Sequence, residues 1–210
     1  MQQFLTDEIR PERSIYLPEV VGLTVHRYGF LKHSDVSVAP EKGIKFENGR
    51  LDLGGGAEIA IESLDIFNDG FICVCRDTTD ADYVLEDVLK WGMDALKMRA
   101  PHTTFPREYS SWLVVDFEKP ISSILAKFAE LRQLIRESYQ RTYKRNIDFE
   151  LQRLAFAYDP LKGPQSANIG YTIDRRLGAP YEVNRFFCAA PLRTEDHVEL
   201  LRNIEAILSG

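Results

Sequence analysis

Apolar residues at every second position dominate residues 57–75, and the parity of that alternation changes partway along. It is odd at Ile59 and Ile61, then even at Leu64 and Ile66. A two-residue period means a strand with one buried face, and a parity change without loss of period means an extra residue. The pattern predicts a β-bulge near Glu62-Ser63. A similar change separates Phe149 and Leu151 from Leu154, Phe156 and Tyr158. Long, bent antiparallel strands are therefore expected.

Turn signals suggest how these strands pair. In GIKFENGRLDL, a two-residue turn at Asn48-Gly49 would set Phe46 opposite Leu51, Lys45 opposite Asp52 and Ile44 opposite Leu53. Residues 57–67, then Asn68-Asp69-Gly70 and FICVCR, read as a second hairpin, with Gly70 in the left-handed conformation of a three-residue loop. That register aligns Leu64 with Val74 and Ile66 with Ile72.

Three amphipathic helices stand out. One covers about 80–99, capped by Thr78 or Thr79, with acids at its start, Lys97 and Arg99 near its end, and a stripe of Val84, Leu85, Val88, Leu89 and Leu96. Another opens at Pro120 and carries Ile121, Ile124, Leu125, Phe128, Leu131 and Ile135. The last is capped by Thr194 and buries Leu201, Ile204 and Leu208. One-sided helices are expected to lie on a sheet.

SSWLVVDF, apolar on both faces, reads as a central strand. Residues 147–158, 168–176 and 181–188 read as three further strands, joined by DPLKGPQSA and LGAP. Runs of strands with intervening helices predict an α+β fold: a mostly antiparallel, bent β-sheet with three amphipathic helices packed on it. The whole chain, 1–210, is expected to form one α+β domain, any subdivision falling near 101–106.

Composition narrows the function classes. With 26 basic and 32 acidic residues the formal charge is −6, which disfavours a dedicated nucleic-acid binder. The charge is segregated: ten acids face two bases between Glu58 and Asp94, while Lys127–Arg145 holds six bases and two acids. Such stretches could pair within a chain or between copies. Three cysteines fit neither a zinc ribbon nor a disulfide scaffold, so a reducing compartment is expected. The first residues lack a signal-peptide pattern and no apolar run is long enough for a membrane span, so the reading is cytoplasmic, without membrane contact.

No familiar catalytic or cofactor motif emerges. Gly54-Gly55-Gly56 is followed by neither Lys-Ser nor a helix, and reads as a flexible connection between the two hairpins rather than a phosphate loop. Cys73 and Cys75 share a strand face and read as buried reduced thiols, for want of further ligands at zinc-site spacing. His26, His33, His102 and His197 read as ordinary solvated or hydrogen-bonded histidines, the first two in a strand and its following turn. A nucleophilic Cys188 would need His197 beside it in space. Neither metal nor cofactor is expected.

Two basic clusters remain as candidate sites. Arg175, Arg176, Tyr181, Asn184 and Arg185 crowd a short glycine-proline connection, where arginine forks could bind the carboxylate or phosphate of an anionic small molecule. Arg132, Arg136, Arg141 and Arg145, with Tyr139 and Tyr143 between them, could contact nucleic acid or a protein partner. The leading expectation is a non-enzymatic binding or assembly protein that self-associates, as a homodimer, through a sheet edge or through its charged patches. An enzyme or sensor for a nucleotide or phosphorylated metabolite is the alternative, and a nucleic-acid partner for the second helix is a third.

Overall fold

The computed structural model describes residues 2–3, 16–35, 43–67, 70–99, 107–121, 128–148, 150–157 and 170–209. The fold class is α+β, the described residues forming four helices and two antiparallel sheets in place of the three helices and single sheet expected. The chain divides into two compact units, Met1–Tyr109 and Ser110–Gly210, each holding one sheet and one core.

In the first unit the strand order is β1-β5-β4-β3-β2, with β1 Gln2–Gln3, β2 Lys32–His33, β3 Ile44–Gly54, β4 Ala57–Phe67 and β5 Gly70–Cys75. The long β3–β4 hairpin does not turn at Asn48-Gly49. Ile44 pairs with Ile66, Phe46 with Leu64 and Leu51 with Ile59, and the turn falls at Gly54-Gly55-Gly56, all three at positive φ. Only glycine enters that region without steric penalty, so the triplet is a tight hairpin tip rather than a link between two hairpins.

Asn48 and Gly49 instead kink β3 in mid-strand. Asn48 takes φ 57°, and the Phe30 ring lies over Gly49 where any Cβ would collide with it. The bulge expected in β4 is present, since Ile61 pairs with Cys75 but Ser63 with Val74. It turns Ile59, Ile61 and Leu64 alike into the core. The β4–β5 register differs by one residue from expectation. Leu64 meets Cys73 and Ile66 meets Phe71, because Gly70 is already paired with Phe67; residues 68–69 lie outside the described residues.

Helix α1, Leu17–Tyr28, occupies part of what the sequence suggested was a strand. Pro18 in its first turn and Gly29 at φ 60° beyond its end bracket it, and Val20, Val21, Thr24 and Tyr28 are buried at helical spacing. Helix α2, Thr78–Ala95, buries Val84, Leu85 and Val88 as expected, but its cap is Asp77, whose carboxylate accepts from the Asp80 amide at 2.9 Å. The two helices are tied by Asp87, which accepts from the Tyr28 hydroxyl at 2.8 Å and from Arg27 at 2.8 and 2.9 Å. Tyr28 also meets the Trp91 ring edge-on at 5.9 Å.

The second unit has strand order β6-β9-β8-β7, with β6 Ser111–Asp116, β7 Arg153–Phe156, β8 Tyr171–Arg175 and β9 Arg185–Ala190. Among the described residues strand β6 is thus an edge strand and not the central one its two apolar faces suggested. Its inward residues Leu113 and Val115 reach the core, while Trp112 and Val114 are each 54% exposed. Residues 181–183 form a 3-10 turn ahead of β9 rather than the start of a strand. Ile173, Phe186 and Cys188 meet Leu201 and Leu208 of helix α4, Thr194–Ser209.

Helix α3, Phe128–Tyr143, departs from the expectation that each apolar stripe is covered, since Leu131, Leu134 and Ile135 are all exposed. Residues 122–127, including Ile124 and Leu125, lie outside the described residues, as do His102, Phe149, Tyr158 and the DPLKGPQSA connection.

Candidate functional site

The β8–β9 connection gathers all five residues expected to bind an anion, and four of them are engaged by neighbouring groups. The Arg175 guanidinium lies 4.5 Å from the Tyr181 ring centre and 4.8 Å from that of Phe186, and donates to the Tyr181 carbonyl at 3.2 Å. A guanidinium between two rings gains cation–π attraction from both, which favours a packed role over ligand capture. The Tyr181 hydroxyl in turn accepts from the Gln152 amide.

Asn184 is buried in the left-handed conformation at φ 50°, closing the 3-10 turn through its amide to the Tyr181 carbonyl. Its own carbonyl accepts from the Phe117 amide at 3.1 Å. Arg185 grips Asp116 with two parallel hydrogen bonds of 2.7 Å. That fork holds the Asp116 carboxyl below the usual carboxylate range and pushes Arg185 up. Arg176, exposed at the tip, pairs with no acid among the described residues.

The second cluster is neutralised locally. Arg132 pairs with Glu150, and Arg136 with Asp148 at 3.3 Å, so acids following α3 take up two of the cluster's four arginines. Arg141 donates to Ser138 Oγ at 3.0 Å, and Arg145 lies exposed beyond the helix end. Tyr139 and Tyr143 contact each other, their ring centres 4.6 Å apart and their planes tilted by 40°.

A third constellation was invisible in the sequence because its partners lie 86 positions apart. Ser111 Oγ sits 2.7 Å from Nδ1 of His197, both residues buried and His197 fully so. With the hydroxyl donating, Nε2 carries the proton, and it finds no acceptor among the described residues. The Tyr171 ring stands edge-to-face to the imidazole at 5.9 Å, its hydroxyl likewise buried without a partner. Burial lowers the His197 pKa and raises that of Tyr171. A serine nucleophile must be reached by substrate, and this one is enclosed.

Cys188 is fully buried, and burial, then the Asp174 charge, pushes its thiol up to about 12. It therefore stays protonated near neutrality, and it is Ser111 that occupies His197. His33 places Nδ1 3.0 Å from the Ser34 carbonyl, beside an open depression of about 540 Å³ lined by Leu31, Lys32, Ser34, Lys45 and Glu47. Lys45 and Glu47 are already paired there at 2.9 Å.

Among the described residues no group of three or more His, Cys, Asp or Glu could hold a metal ion, and no helix is long and apolar enough to cross a membrane. Comparison with protein-family models, with curated proteins and with solved structures finds no match to this chain.

Proposed function

We propose that this protein is a non-enzymatic binding or assembly protein that forms a homodimer through strand β6, at the edge of the sheet described in its second unit. The observation that carries the reading is the exposure of Trp112 and Val114 on edge strand β6. Their outward face continues onto β9, where Trp112 pairs with Ala189 and Val114 with Phe187. Edge strands normally carry a lysine, a proline or a bulge that discourages pairing, and β6 has none of these. Its one charge, Asp116, is held by Arg185.

An antiparallel pair keeps directly opposed residues on one face. Placing Leu113 opposite its own copy would set Trp112 against Val114 of the second copy and keep the apolar faces continuous. Six residues extend only about 20 Å, so edge pairing alone gives a small interface and a concentration-dependent equilibrium. The enclosed Ser111–His197 pair and the protonated Cys188 support a non-catalytic role.

Light scattering after size exclusion, run over a concentration series, tests this. The native chain is expected to approach twice the 24.1 kDa monomer mass, and Val114→Lys to remain monomeric. A native chain monomeric at every concentration, or a dimer indifferent to Val114→Lys, overturns the proposal.

The alternative, an anionic small molecule at the β8–β9 connection, draws its support from Arg176 alone, since Arg175 and Arg185 are engaged. A rise in melting temperature with nucleotides or phosphorylated metabolites, abolished in Arg176→Ala, would favour it.

A further inference from the structure

Strand β5 carries Cys73 and Cys75 two residues apart, on the same face as the buried Phe71, and their sulfurs approach to 3.5 Å. Both pack against the first unit's core while remaining only partly buried. Strand β1 pairs with β5 at Gly70 and Phe71, so this part of β5 lies beyond that pairing. We propose that Cys73 and Cys75 form a two-coordinate site for a soft monovalent metal ion of the copper(I) class.

Three arguments converge on that class. Among the described residues no third histidine, cysteine or carboxylate joins the pair, and zinc in structural sites requires four ligands. Thiolates are soft ligands and select copper(I) over harder ions. A metal–thiolate bond of about 2.3 Å implies sulfurs about 4.6 Å apart in a linear complex. From 3.5 Å, the thiols need only rotate apart by about 1 Å.

Oxidation to a disulfide asks for more. The sulfurs would have to close to about 2.05 Å, and bridged Cα atoms usually lie no more than about 6.8 Å apart. Two strand residues at roughly 3.3–3.4 Å rise each already stand near that limit. The strand therefore resists closure and tolerates opening.

Binding couples to protons. The hydrogen bond with Cys75, and then burial, push the Cys73 thiol up. One ion displaces the thiol proton from each cysteine, releases both to solvent and leaves a bis-thiolate complex of charge −1, with no change of oxidation state.

The test uses the full reduced chain under anaerobic conditions, with silver(I) as redox-inert probe and copper(I) supplied from a competing chelator. Native mass spectrometry should find one ion per chain, and pH-dependent titration should find two protons released. Cys73→Ser and Cys75→Ser should each lose the ion, while Cys188→Ser should keep it; X-ray absorption should find two sulfur neighbours on bound copper. Absence of binding, its survival in either β5 variant, displacement by equimolar zinc, or a third sulfur neighbour overturns the proposal. Cys75→Ala serves as a second variant should a serine substitution prevent folding.

Discussion

The Phe30 ring lies against the backbone of Gly49, so close that a Cβ on that glycine would stand well under 3.0 Å from two ring carbons. Phe30 cannot easily retreat, because its other contacts include Tyr28 at 5.8 Å and Phe46 at 5.2 Å. Gly49→Ala is therefore expected to cost about 1–3 kcal/mol as an overpacking substitution. Urea unfolding measures it, and the cost should shrink in a Phe30→Ala background, where the ring is gone.

Asp87 joins helices α1 and α2 through one buried hydroxyl and one more exposed guanidinium. Removing the carboxylate by Asp87→Ala leaves the Tyr28 hydroxyl unpaired in the core, at a cost of about 1–3 kcal/mol. Tyr28→Phe removes donor and need together, and Arg27→Ala removes only a largely solvated ion pair. Chemical denaturation should rank the losses with Asp87→Ala the largest.

His197 supplies a pH dependence whose direction follows from burial. Its folded pKa lies below the ordinary 6.5, so over that interval the unfolded chain binds a proton that the folded chain does not. Its contribution is complete above about pH 6.5 and is lost as pH falls toward the depressed folded value. Melting temperature should drop from pH 7 to pH 5, and His197→Gln, though less stable at pH 7, should show a shallower drop. Identical slopes in the two proteins would refute the assignment.

Arg175 and Arg185 should respond differently to the same conservative change. Arg175→Lys replaces a planar group lying against two rings with a compact ammonium, and is expected to cost about 0.5–2 kcal/mol. Arg185→Lys touches an exposed pair with Asp116 and should leave the melting temperature nearly unchanged. Thermal unfolding of the two variants separates the packed arginine from the solvated one.

Much of the fold was written into local patterns. The parity change at Ile61 and Leu64 located a bulge because a two-residue period registers a single inserted residue. Val84, Leu85 and Val88 marked α2, although the cap is Asp77 rather than a threonine. The errors came from residues with two physical uses. Asn48-Gly49 suits a hairpin turn, but the same left-handed tolerance and missing Cβ serve a kink beneath Phe30. Strand β6 resembled a central strand because its outward Trp112 and Val114 are apolar yet exposed. Helix α1 has its own local signature in Pro18, Gly29 and the spacing of Val20, Val21, Thr24 and Tyr28, but the aromatic and β-branched residues around His26 also suit a strand.

The candidate sites divide in the same way. Cys73 and Cys75 were adjacent on a strand face from the outset, but only the 3.5 Å sulfur separation makes them a pair. Asp116 and Arg185 lie 69 positions apart, and only the β6–β9 register brings them face to face. Charge spacing along α3 could not reveal that Asp148 and Glu150 return to meet its arginines.

The three-glycine tip of the β3–β4 hairpin has a practical consequence. Among the described residues nothing lies within 4 Å of where a Cβ would stand on Gly54, Gly55 or Gly56. Among the described residues the apex is open, so an epitope or fluorophore-bearing loop could be carried there while the strands beneath it keep their pairing.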